Sequence, residues 1–106
     1  MTQHHGWLIV LRPTRIDMLT EGPTEREAAA LRAHFEHVRG HCTAGRLLLA
    51  GRTQTSDAST MGIAILATMA ESEARAIMDA DPAVEAGVMR AELSPFRVAL
   101  KAETGW

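Results

Sequence analysis

What most limits the fold of this 106-residue chain is an alternation of short apolar runs with capped amphipathic stretches. "WLIVLR" (7–12) is an apolar run ended by Pro13, and reads as a buried strand. Residues 13–23, "PTRIDMLTEGP", carry Pro at both ends and Gly22, so a loop is expected. Its Ile16, Met18 and Leu19 suit a loop that folds over something. Thr24-Glu25-Arg26-Glu27 then has capping-box spacing, and an Ala-rich helix is predicted over about 25–43, stopped near Gly45. "RLLLAGRTQ" (46–54) and "MGIAILAT" (61–68) read as a hairpin joined by the turn residues "SDAST". Thr68-Met69-Ala70-Glu71 repeats the capping spacing, and a helix over about 70–80 is expected to bury Ala74, Ile77 and Met78. Asp81-Pro82 reads as an N-cap followed by Pro at the first helical position, with Gly87 closing one short turn. "VMRAELSPFRVALKA" (88–102) is the last strand. Its apolar alternation changes phase at Ser94-Pro95, which predicts a bulge or bend there.

The order β-α-β-β-α-β predicts a ferredoxin-like α+β fold: a four-stranded antiparallel sheet with both helices on one face. The chain reads as one domain over residues 1–106, with a core at about 7–100. No third long helix is available for the other sheet face. A second copy of the chain is the economical cover, so a homodimer built as a dimeric α+β barrel is expected.

Composition excludes several functions. The formal charge is −2, aromatic residues make up 4%, and no basic block stands out, which argues against a nucleic-acid partner. No apolar run is long enough for a membrane span or a signal segment, so no membrane partner is expected. The single Cys42 forms no internal disulfide, which fits a reducing compartment and a cytoplasmic location. No phosphate-loop or cofactor motif is present, and no cofactor is expected.

"AHFEHVRGHC" (33–42) concentrates His34, His37, His41 and Cys42. On a helix turning about 100° per residue, Leu31, Phe35, Val38 and Cys42 make an apolar stripe, predicted to face the core. The histidines form a separate stripe roughly 60–120° away. His34 lies nearest the core boundary. His37 and His41 are expected on the solvated flank. His34 and His41 are about two turns apart, roughly 10 Å along the axis, too far to share one zinc at ~2.0 Å per bond. No native metal site is expected. A boundary histidine near a carboxylate is instead an arrangement for general acid–base work.

Four stretches resemble the YciI-like (YCII-related) family: the helical His with "AGRLLLAGR" following; "SDASTMGIAIL"; "SEARAIMDADPAVEAGVM"; and "RAELSPFRVAL". The resemblance spans about residues 7–100 and implies the same ferredoxin-like fold and dimeric barrel. It also implies a site made of a His on the first helix and an Asp just after the second strand. By spacing to "AGR", His34 takes the His position, and Asp57 is the candidate Asp. Chemistry in the wider group includes dehydrochlorination of a chlorinated, hydroxylated ring.

The expected function is therefore a small-molecule enzyme. His34 oriented by Asp57 would act as general acid or base in an elimination or isomerisation. Arg12 and Arg52 would bind an anionic substrate group, the loop 13–23 would act as a lid, and Asp81 is a further substrate-binding candidate beside its capping role. The rival expectation is a non-catalytic ligand-binding dimer.

Overall fold

The computed structural model describes residues 4–105. Met1–Gln3, the start of the stretch read for a signal segment, lie outside the described residues. The strands are β1 (His4–Pro13), β2 (Leu47–Arg52), β3 (Gly62–Leu66) and β4 (Met89–Val98). The helices are α1 (Asp17–Thr20), α2 (Glu25–Thr43), α3 (Glu71–Asp79) and α4 (Pro82–Glu85). The four strands form one antiparallel sheet in the order β2-β3-β1-β4. Apart from the short helices α1 and α4, this is the predicted β-α-β-β-α-β order.

Strand alternation sorts the sheet into two unlike faces. Ile9 and Leu11 of β1, Ala64 and Leu66 of β3, and Leu47 of β2 are buried against Ala74 and Met78 of α3. Val38 of α2 packs on the same cluster. The intervening positions face away from the helices. Leu8 pairs with Ile65 and Val10 with Ile63, while Leu49 adjoins Ile65. Across β1, Phe96, Ser94 and Glu92 extend that face opposite Gly6, Leu8 and Val10. Gly6 is required at its place, because a Cβ there would overlap the Leu66 carbonyl.

Of the bulge or bend expected at Ser94-Pro95, no bulge forms. Pairing of β1 with β4 runs without a shift from His4↔Val98 to Pro13↔Met89. The apolar phase changes because the covered face changes: Met89, Ala91 and Leu93 pack toward the helices, whereas Phe96 and Val98 lie on the other face. Among the described residues the pairing register shifts in β2, between Leu47 and Leu49.

The capping box of α2 is complete. Thr24 accepts from the Glu27 N–H, and the Glu27 side chain accepts from the Thr24 N–H. The second predicted box does not form. Helix α3 starts one residue later, with Ala70 as N-cap and no side-chain cap, and the Thr68 hydroxyl donates to the His5 carbonyl instead. The loop 13–23 does fold inward. Met18 of α1 is buried with Ala30 and Val88, and Arg15 clamps Glu27 through two bonds of 2.9 and 2.6 Å.

The stripe predicted for α2 holds at Leu31 and Val38, which pack on the core clusters, and fails at Phe35 and Cys42. Phe35 is 62% exposed and Cys42 is exposed, while Glu27 and Ala30 are buried and the three histidines are half-buried. The reason is electrostatic as well as apolar: the inward side meets polar groups from α3 and α4 that imidazoles satisfy and Phe cannot. Arg39 covers the outward Phe35 ring at 5.6 Å.

Candidate active site

Three elements bring the candidate site together. Helix α2 carries His34 and, one turn on, His37. Helix α3 ends at Asp79, and Asp81 then serves as N-cap of α4. That junction points the Asp81 carboxylate at α2. Asp81 is 5% exposed. Its Oδ1 accepts from the Ala83 N–H at 2.9 Å, and its Oδ2 lies 2.6 Å from His34 Nδ1. A carboxylate of ordinary charge only accepts, so Nδ1 carries the proton. Nε2 of a neutral His34 is then a lone-pair nitrogen, with no hydrogen-bond partner among the described residues. The His34 side chain keeps 21% exposure, so the ring is not sealed from solvent.

His37 and His41 extend the cluster inward, contrary to the solvated flank expected for them. His37 Nε2 lies 2.9 Å from the Ile77 carbonyl. The two imidazoles meet edge to face, with centroids 4.6 Å apart. Arg46 Nε donates to His41 Nδ1 at 2.9 Å. Because guanidinium is always a donor, Nδ1 of His41 is the acceptor and the ring is neutral. Burial, and then the neighbouring His37 and Arg46 charges, hold the His41 pKa below its ordinary value. A cavity of about 20 Å³ lies beside Asp81, His37, His41, Ile77 and Leu47. That volume admits about one water and no substrate ring. His34 does not line this cavity.

The remaining candidates sit elsewhere. Asp57 is exposed in the β2–β3 turn, where its Oδ1 accepts from the Ser59 N–H at 2.8 Å and from the Ser59 hydroxyl. The Ser59 hydroxyl, and then its N–H, hold the Asp57 carboxyl below its usual pKa. Within the chain the partner of His34 is Asp81, and the expected pairing with Asp57 is corrected accordingly. Arg52 spends its guanidinium on its own loop, donating to the Thr53 and Thr55 carbonyls at 3.0 and 3.2 Å. Arg12 lies opposite Arg90 on the sheet face turned away from the helices, so it does not join His34 in one chain. Among the described residues no group of three or more His, Cys, Asp or Glu side chains is placed to hold a metal ion. No described helix is long and apolar enough to cross a membrane.

A four-stranded antiparallel sheet in ferredoxin-like order, with its helices on one face, defines the structural class. The chain belongs to the family of the YCII-related domain, whose model matches residues 8–97. Among solved structures it is similar to the 5-chloro-2-hydroxyhydroquinone dehydrochlorinase of Burkholderia phenoliruptrix AC1100, solved with 2,5-dihydroxybenzoquinone. The identity is 16% over 90% of this chain and 93% of that one, with a TM-score of 0.55. It is also similar to an uncharacterized protein of Thermotoga maritima, at 13% identity over 89% and 98% of the two chains, with a TM-score of 0.52. No protein of curated function matches the chain.

Proposed function

We propose that this protein is a small-molecule enzyme in which His34, held by Asp81, moves a proton in an elimination or isomerisation. The observation that carries the reading is the 2.6 Å contact between His34 Nδ1 and the buried Asp81 carboxylate, on an imidazole that keeps 21% exposure and whose Nε2 has no hydrogen-bond partner among the described residues. Asp81 fixes one tautomer and so presents the Nε2 lone pair outward. When Nε2 takes a proton from the substrate, the imidazolium formed lies beside a carboxylate that stabilises it. In an elimination the electron pair released to the substrate expels the leaving group, and His34 then returns its proton to solvent. The likeness to a dehydrochlorinase supports a hydroxylated ring as substrate class. A purely ligand-binding role would need no tautomer-fixing carboxylate behind an open ring nitrogen. The lone, exposed Cys42 fits a reducing, cytoplasmic compartment.

A thermal-shift screen of hydroxylated and quinonoid rings, with 2,5-dihydroxybenzoquinone as the first probe, tests the site. Stabilisation of the wild type is expected to disappear in His34→Ala. Equal stabilisation of both proteins sinks the assignment.

The functional unit in this proposal is a homodimer. Leu8, Val10, Leu49, Ile63, Ile65 and Phe96 share the sheet face that no helix covers. Such a surface is the kind a second copy buries. Light scattering is expected to give twice the 11.5 kDa chain mass. A monomer that persists at micromolar concentration contradicts it.

A further inference from the structure

Helix α3 ends with a carbonyl that the helix itself does not satisfy. The acceptor role of the Ile77 carbonyl would ordinarily go to the N–H four residues on, that of Asp81. The Asp81 N–H instead donates to the Met78 carbonyl at 3.2 Å, and the Ala80 N–H donates to Ala76 at 3.0 Å. Ile77 thus carries one of the orphan carbonyls of a helix C-terminus. His37 supplies the missing donor from another helix, with Nε2 at 2.9 Å. A carbonyl can only accept, so His37 is in its Nε2–H form.

We propose that His37 is a positioning residue for the His34–Asp81 pair. His34 and His37 stand three residues apart, so they project from the same side of α2. Their partners, Asp81 and the Ile77 carbonyl, stand on either side of the turn that ends α3. The two hydrogen bonds therefore form adjacent cross-links between α2 and that turn. One sets the end of α3, and the other uses the carboxylate that this end presents. Behind His37, the edge-to-face contact with His41 and the Arg46–His41 bond keep the ring from turning away. Removing the His37 donor frees the last turn of α3 to bond water. The Asp81 carboxylate then loses its fixed approach to Nδ1.

This inference takes its catalytic meaning from the proposed function, yet its test needs no substrate. Nitrogen-15 NMR of the wild-type imidazoles should show His37 as the Nε2–H tautomer. His37→Phe keeps a ring of similar bulk without a donor. The His34 Nδ1–H should then exchange with solvent roughly threefold to tenfold faster than in the wild type. His37→Gln, whose amide nitrogen reaches about as far as Nε2, should restore exchange to within about twofold. A wild-type His37 in the Nδ1–H form overturns the proposal, as does a folded His37→Phe protein with unchanged exchange, or a His37→Gln protein exchanging as fast as His37→Phe. If His37→Phe does not fold, the wild-type tautomer and the His37→Gln rate decide. Failure of the functional reading has a different signature: ligand stabilisation indifferent to His34→Ala, with these exchange rates unaffected.

Discussion

Asp57 and Asp81 occupy the same local motif and do different work. Each is a turn aspartate whose Oδ1 accepts the N–H two residues ahead, from Ser59 at 2.8 Å and from Ala83 at 2.9 Å. What differs is the far side of the carboxylate. Asp57 faces solvent, and its second interaction is with the Ser59 hydroxyl. Its turn is tied down by neighbours in sequence, through hydroxyl contacts of Thr55 with Thr53 and Thr60 at 3.0 and 2.8 Å. Asp81 is pressed against a helix 47 residues away in sequence, and its Oδ2 meets His34. The motif places an oxygen on a backbone N–H in both turns. Only tertiary placement brings one of them against an imidazole.

The sharpest way to break this comparison is to exchange each carboxylate for its amide. Asn at position 81 can still accept from the Ala83 N–H, so the cap of α4 survives. Its remaining amide group, however, is a donor, and it would meet Nδ1–H with N–H. His34 must then flip its tautomer or lose the bond, which removes the base from Nε2. Asp81→Asn is expected to cut turnover about 10²–10⁴-fold once a substrate is found. Asp57→Asn should leave it within about twofold. Equal losses in steady-state assays would show that the second turn reaches the site by a route absent from the single chain. Asp81→Ala should cost more stability than Asp81→Asn, by about 1 kcal/mol, because it also deletes the cap.

Much of the fold was legible from local signals. Element order and hairpin pairing follow from apolar periodicity, the Thr24 box and the turn residues. Three features were not legible, for one shared reason. The α2 stripe places Phe35 outward and turns His34 and His37 inward because Asp81 and the Ile77 carbonyl, at the end of α3 and the start of α4, receive those imidazoles, and no window along α2 contains those groups. The phase change in β4 looks like a bulge because a strand cannot announce which face each half will cover. His34 was readable as a boundary histidine. Its partner was not, since two turns in the sequence offer an Asx oxygen and only the packing of α4 against α2 chooses between them. Asp81 was legible as an N-cap before Pro82, with Gly87 at φ 74° closing the turn, but a cap accounts for one carboxylate oxygen and is silent on where the other points.

A third carboxylate sharpens the point, because it combines a local cap with a tertiary partner. Glu27 is 6% exposed and sits about 2 in pKa, against the ordinary 4.5. The side-chain bond from Arg15 lowers it most, and the Thr24 backbone N–H comes next. A carboxyl whose folded pKa is depressed stabilises the fold above its unfolded pKa and stops doing so as pH falls through the folded one. Melting temperature should therefore decline from about pH 4.5 toward pH 2 by more in the wild type than in Glu27→Gln. Arg15→Met should flatten that decline more than Thr24→Ala. Thr24→Ala keeps the Thr24 N–H bond to Glu27, so the reverse order would mean that the Thr24 hydroxyl, and not the Arg15 clamp, holds the charge.

The smallest effect belongs to the exposed turn. Asp57→Ala removes two bonds to Ser59, but both lie in solvent, where water replaces them at little net cost. The Thr53–Thr55–Thr60 contacts and the bond from the Thr53 N–H to the Met61 carbonyl at 2.9 Å remain to close the loop. The melting temperature is expected to stay within about 2 °C of wild type, as for most surface substitutions. A drop comparable to that of Asp81→Ala would mean that the turn aspartate is as deeply coupled to the fold as the buried one. The contrast between a locally satisfied and a tertiary-satisfied carboxylate would then fail at its weaker end.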